Sequence, residues 1–155
     1  MPFDFRFKFV EDEKEINKLK TFLLSQSFDY PLYFDWVERA ICEIDSGYKR
    51  TILAFNENNL VGNLIFQPHK TLLKTIEIKN IRVHPDFKRR YFSSFMLRQV
   101  EAESMGYNGI IVDTRSDRLE ILNLFHLSGY KEIARSSLYE PNVEDIIFFK
   151  KVKLT

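Results

Sequence analysis

The 155 residues predict an α/β (α+β) chain with a mixed central sheet of about seven strands and about four flanking helices. Two observations carry this. Apolar residues switch between alternation and helical spacing, giving the order strand, two helices, three strands, helix, strand, helix, two strands. Turn-forming stretches separate these segments, and no repeat, low-complexity run or linker interrupts them, so a single domain over 1–155 is expected.

Each element has its own signal. Phe3, Phe5, Phe7 and Phe9 alternate with Asp4, Arg6 and Lys8, the period of a half-buried strand. Glu11-Asp12-Glu13 place negative charge where a helix should begin, and Ile16, Leu19 and Leu23 supply its apolar stripe. The aromatic stretch Phe28 to Trp36 connects to a second helix, with Val37, Ala40, Ile41 and Ile44 as its stripe and Gly47 as its stop. Thr51 to Phe55 and Leu60 to Phe66 pair as a hairpin around the turn Asn56-Glu57-Asn58-Asn59. Pro68 to Lys74 turns the chain into an Ile-rich strand, Thr75 to Val83. Phe92, Phe95, Met96 and Val100 then recur at helical spacing. Gly106 to Gly109 breaks that helix before Ile110-Ile111-Val112, a strand apolar enough to be buried on both faces. Leu119 to Ser128 is a short helix ending at Gly129, and Tyr130 to Leu138 and Asp145 to Val152 close the sheet.

Composition narrows the function classes. A chain of this length buries about two thirds of its unfolded surface. Hydrophobic content of 45% and charged content of 29% are ordinary for a globular protein. A formal net charge of +1 gives no long-range field for nucleic acid or an anionic membrane. Fifteen Phe point to a core built on large rings. Cys42 is the single cysteine, so no internal disulfide forms; it is expected as a buried thiol, in a cytoplasmic setting. No signal peptide or membrane span is expected. His69, His84 and His126 are too scattered to suggest a metal set, and none is assigned.

The stretch most suited to chemistry runs from Val83 to Arg98. A strand turns through Lys88-Arg89-Arg90 into a helix start, where free backbone N–H groups and the helix dipole suit a phosphate. Strand, Val83-x-Pro85, basic loop and helix resemble the first motif of the GCN5-related N-acetyltransferases (GNAT). In that family the loop Gln/Arg-x-x-Gly-x-Gly/Ala holds the pyrophosphate of coenzyme A. The loop here reads Lys88-Arg89-Arg90-Tyr91-Phe92-Ser93, with Tyr91 at the first glycine position and Ser93 at the second. The family's second signature, Asn-x-x-Ala-x-x-Leu-Tyr-x-x-x-Gly-Phe, is echoed by Arg118 to Tyr130, where Leu124, Gly129 and Tyr130 keep the skeleton and Phe125 replaces the tyrosine. The order of elements matches the family over nearly the whole chain, and the resemblance implies that family's mixed, mostly antiparallel central sheet.

The resemblance implies a set of roles. Acetyl-CoA would lie between strand Thr75–Val83 and strand Ile110–Asp113. Backbone groups of Ile81, Arg82 and Val83 would meet the pantetheine and thioester, an oxyanion-type contact worth roughly 2.7–4 kcal/mol in other enzymes. Lys88, Arg89, Arg90, Tyr91, Phe92, Ser93 and Ser94 would hold the diphosphate, and Arg118 would reach a coenzyme phosphate. Phe125 would face the coenzyme without a hydroxyl to protonate the departing thiolate. That loss is bearable, because a thiol of pKa about 8.5 leaves near neutral pH unaided. Some family members carry a glutamate base at the spacing of Glu77; period two would place Glu77, Lys79, Ile81 and Val83 on one face. Tyr30, Tyr33 and Trp36 fall where the family places part of its acceptor site.

Alternatives stand beside each role. Glu77 is either a base or the partner of a lysine in the sheet. The cationic run is either a phosphate contact or a solvated turn, and the aromatic stretch either an acceptor platform or a core plug. A tyrosine at a left-handed loop position costs about 1–2 kcal/mol. Two whole-protein readings follow. One is an acetyl-CoA-dependent N-acetyltransferase acting on a small-molecule amine or a protein by direct attack, with a homodimer as the expected assembly because dimers are common in families of this size. The other is a catalytically silent module of the same fold that binds a protein partner. Three cations on a near-neutral domain argue against nucleic acid as a partner.

Overall fold

The structure is a computed structural model that describes residues 4–26, 32–88 and 91–152. Its elements follow the expected order. Strand β1 (Phe5–Phe9) leads to helices α1 (Glu13–Leu24) and α2 (Tyr33–Asp45). Strands β2 (Arg50–Asn56), β3 (Asn59–Pro68) and β4 (Thr75–Val83) come next, then α3 (Phe92–Glu103) and β5 (Gly109–Arg115). Helix α4 (Leu119–Leu127) and strands β6 (Lys131–Ser136) and β7 (Asp145–Lys151) complete the chain, with a short 3-10 turn at Pro85–Phe87.

Local chemistry sets these boundaries. The Asp12 side chain accepts from the Glu15 N–H and caps α1 within the acidic run Glu11-Asp12-Glu13. Gly47 follows α2 with φ +87°, a backbone only glycine adopts without strain. Glu57, at φ 56°, turns the β2–β3 hairpin.

The seven strands run in the order β1-β2-β3-β4-β5-β7-β6, and every neighbouring pair is antiparallel except β4 with β5. Helices α3 and α4 cover one face through Phe92, Met96, Leu97, Val100 and Phe125, packed on Ile76, Ile78, Ile81, Ile110 and Val112. Helices α1 and α2 cover the other through Leu19, Leu23, Tyr33, Val37 and Ile44, packed on Leu53, Phe55 and Ile65. Phe66, Phe125 and Phe148 are among the largest fully buried side chains.

Several expectations change. Tyr33 to Trp36 form the first turn of α2, not a connection into it. Phe95 is 47% exposed at the edge of α3, where it meets the Phe7 ring instead of entering the core; Leu97 goes in. Cys42 is exposed on the outer side of α2, one position off its buried stripe. Ile111 is only partly buried, so β5 does not have two equally apolar faces. The expected positions Tyr30, Arg89 and Arg90 lie outside the described residues.

Candidate active site

Strands β4 and β5 run parallel and stay hydrogen-bonded only at their start, pairing Thr75 with Gly109, Ile76 with Ile110 and Glu77 with Ile111. Beyond Glu77 they part. A bulge on β4 is the local cause. Ile65 of β3 pairs with Asn80 and Phe66 with Ile78, so Lys79 is an extra residue. The bulge also changes which side chains share a face. Ile76, Ile78 and Ile81 all enter the core beneath α3 and α4. Strict alternation placed Glu77 and Ile81 together; the inserted residue puts them on opposite faces.

A cavity of about 150 Å3 opens where the strands separate. Ile78, Ile81, Val112, Ile121 and Phe125 form its apolar side toward α3 and α4. Tyr33, Trp36, Asn80, Arg82, Asp113 and Tyr139 line it toward α1 and α2. The opening thus passes between strands and joins the two faces of the sheet. Asn80 is held in place by the fully buried Asn63, whose amide Nδ2 donates to Asn80 Oδ1 over 2.9 Å.

Asp113 is the carboxylate that the strand geometry delivers to this opening. It lies on β5 just past the zipped segment, and the Tyr139 hydroxyl donates to its Oδ2 at 2.8 Å. Burial raises its pKa above the usual carboxylate range, and Glu77 and Asp145 push it the same way. The Tyr139 hydrogen bond and the Lys79 charge oppose that rise. A carboxylate with a raised pKa beside a cavity is suited to proton transfer near neutral pH. Glu77 does not line the cavity; its Oε2 sits 3.3 Å from Lys79 Nζ.

Several of the other expected residues line the same cavity. Arg82 lines the cavity and donates from Nη1 to the Ile81 carbonyl at 2.8 Å. Burial, with Arg118 adding repulsion, pushes its pKa down to about 9, still a cation at neutral pH. Arg118 stands at the start of α4 and lines the same cavity. Tyr33 donates its hydroxyl to the Leu23 carbonyl at 2.7 Å and stacks on Trp36 with centroids 6.0 Å apart. Burial pushes its phenol up to about 12. Phe125, 1% exposed, packs edge-on to Tyr130 and against Phe148 while still reaching the cavity. Val83 does not line the cavity.

The loop before α3 ends in Tyr91, at φ 65° and ψ 10°, the left-handed conformation a glycine would take there. Its ring is 74% exposed, so it does not fill the space over the helix start. No side chain caps α3 among the described residues, leaving the N–H groups of Phe92, Ser93 and Ser94 at an open N-terminus. Lys88 Nζ, three residues before Tyr91, lies 3.7 Å from Glu120 Oε2 of α4.

Comparison with known proteins agrees with the geometry. Residues 14–130 match the acetyltransferase (GNAT) family. A GNAT-family protein from Desulfovibrio desulfuricans, assigned as an acetyltransferase, superposes with a TM-score of 0.84 at 15% identity, over 97% of this chain and all of that one (100%). The ribosomal-protein-S18-alanine N-acetyltransferase of Escherichia coli gives 0.76 at 14% identity, covering 98% and 96%. The spermidine N-acetyltransferase of Vibrio cholerae, solved with CoA and spermine, gives 0.71 at 11% identity, covering 96% and 95%. At these identities the structural likeness carries the fold. No curated protein matches the sequence.

Proposed function

The chain belongs to the GNAT acetyltransferase family, and from that premise we propose that it transfers an acetyl group from acetyl-CoA to an amine by direct attack. The observation that supports this most is the separation of β4 from β5 with Asp113 held at its edge. The chain's own features fit the coenzyme. An α3 N-terminus with no side-chain cap among the described residues and an exposed Tyr91 leave room for a diphosphate, and the Ile78, Ile81, Val112 and Phe125 wall suits an apolar arm.

When bound, acetyl-CoA supplies a thioester with a thiol leaving group of pKa about 8.5. The residues of the chain do the rest. Main-chain groups of Ile78 to Arg82, on the strand edge that β5 no longer pairs, face the cavity and orient what lies in it. An amine of pKa about 10 is neutral in only about one molecule in a thousand at pH 7, so a base has leverage on the rate. Asp113 takes the proton from the ammonium, and Tyr139 holds the carboxylate in position. Glu77, paired with Lys79 and absent from the cavity lining, modulates the Asp113 charge instead of acting on the amine. Phe125 donates no proton; it keeps the reaction space dry.

Isothermal titration with acetyl-CoA, followed by a free-thiol assay over a panel of amines, tests the reading. Saturable binding and amine-dependent thiol release are expected. Absence of both removes it, and binding without release favours a silent module.

A further inference from the structure

We propose that Asn80 is a specificity-determining residue, donating from its side-chain amide to an uncharged oxygen that the acceptor carries near its amine; the inference rests on the acetyl-transfer reading above. The last closed pair of the β4–β5 ladder is Glu77 with Ile111. Counting on from it, with Lys79 as the inserted residue, Ile78 comes level with Val112 and Asn80 with Asp113. Ile78 and Val112 enter the core beneath α3 and α4. Asp113, the next residue on β5, therefore faces the other way. Asn80 does so too, through its bond to Asn63. Asn63 lies directly across from Leu53, which packs toward α1 and α2. Asn80 and Asp113 thus stand on opposite lips of one opening, on the face away from the Ile78, Ile81 and Val112 wall.

The reason for a polar residue at position 63 lies in what it does to Asn80. Asn63 is fully buried within β3, and its Oδ1 has no hydrogen-bond partner among the described residues. A buried amide with an orphaned oxygen costs stability that an aliphatic side chain at the same place would not. Its Nδ2 makes one side-chain bond, donating to Asn80 Oδ1 at 2.9 Å. That bond occupies the oxygen of Asn80 and leaves the NH2 as its free end. Asn80 is only partly buried and lines the cavity, and its Nδ2 donates to no protein group among the described residues. A core residue that is unfavourable by itself is accounted for when it fixes a donor at a site.

An acceptor that brings its ammonium to Asp113 brings its next few atoms toward the facing strand. An N–H donor there is matched by an oxygen and left unpaired by a hydrocarbon. The donor is neutral, so it asks for no charge on that oxygen. The acceptor class is thus an amino alcohol or an amino amide, with the hydroxyl or carbonyl oxygen three bonds from the nitrogen.

Isosteric acceptor pairs test this at saturating acetyl-CoA, by kcat/KM for thiol release: ethanolamine against propylamine, and glycinamide against isobutylamine. The members of a pair differ in basicity, and that difference cancels when the pair ratio of a variant is divided by that of the wild type. Asn80→Ala is expected to lower the ratio by about tenfold. A fall confined to the ethanolamine pair identifies the oxygen as hydroxyl, and one confined to the glycinamide pair identifies it as carbonyl. Asn80→Asp keeps an oxygen for Asn63 and replaces the donor with a second oxygen, so its ratio should fall at least as far. Asn63→Leu, a change outside the cavity lining, should also lower the ratio while its Tm stays level or rises. A merely structural Asn63 would give the reverse, a lower Tm with the ratio intact, and that result overturns its positioning role. An unchanged ratio in the two Asn80 variants, which carry the test if Asn63→Leu does not fold, overturns the proposal and leaves the enzyme assignment standing. Acetyl-CoA binding with no transfer to any of these acceptors also overturns it, whereas failure to bind acetyl-CoA overturns the reading beneath it.

Discussion

The two halves of the β4–β5 pair behave differently although one strand runs into the next without a break. From Thr75 to Glu77 the ladder is closed, and Gly109 sits so tightly that a Cβ there would lie 2.1 Å from Phe149 Cζ and 2.9 Å from the Lys150 carbonyl oxygen. From Ile78 onward the strands diverge, and polar and charged side chains crowd the opening: Lys79, Asn80, Arg82, Asp113 and Arg115. The closed half is tightly packed, and the open half gathers polar and charged groups around a cavity. One extra residue on β4 helps separate them, and it needs the closed half as a hinge that does not move.

The difference between the halves depends most on the carboxylate of the open half. Asp113→Asn is expected to lower kcat by about 10²–10⁴ while acetyl-CoA affinity changes little. Glu77→Gln should cost only a few-fold by the same steady-state assay. If Glu77→Gln is the more damaging change, the proton goes to the other carboxylate.

In the closed half, Gly109→Val should lower stability by about 1–3 kcal/mol through overpacking against Phe149 and Lys150. For a chain of this size that is a fall in Tm of roughly 2–4 °C per kcal/mol, read by calorimetry. An unchanged Tm would mean the closed half is not the rigid hinge described.

The pH profile sharpens the contrast further. Burial favours the neutral form of Asp113, so the folded chain keeps its proton to higher pH than the unfolded chain does. Its contribution to stability therefore falls as pH rises from the ordinary aspartate value through the raised one, and Asp113→Asn should flatten that slope. Activity moves the other way, rising as the carboxylate forms. The Tyr139 hydrogen bond favours the charged form, so Tyr139→Phe should shift the acid limb of kcat to higher pH. The lost bond is worth about 0.5–1.5 kcal/mol.

The smallest effect is expected at the loop. Tyr91→Gly relieves a left-handed backbone that costs a side-chain residue about 1–2 kcal/mol, offset in part by the greater freedom of glycine when unfolded. A stability gain below about 1 kcal/mol and tighter coenzyme binding by titration are the expected results.

Much of the architecture was legible because the period of the apolar residues is the period of the backbone. The alternating Phe residues of β1, the acidic start of α1 and Gly129 after α4 each announced an element within a residue or two. The site was less legible, because alternation assumes an unbroken strand. A single inserted residue at Lys79 reverses the pattern, and nothing in the composition of β4 marks it. Asp113 was passed over for a related reason: it follows Val112 in an apolar run and looks like its end. An ionisable residue continuing a strand of buried character is the signal that was there to use. Tyr139 gave none, since its hydrogen bond spans 26 residues from an irregular segment. Cys42 misled in the opposite sense, its exposure set by a single helical position.

On the acetyl-transfer reading, the open half of β4–β5 and the start of α3 receive coenzyme A together. Hydrogen–deuterium exchange with and without saturating coenzyme A measures it directly. Slowed exchange is predicted at the amides of residues 78–82 and 92–94, with residues 75–77 already protected and unchanged. Slowed exchange confined to other segments, or none with binding established by titration, would contradict it.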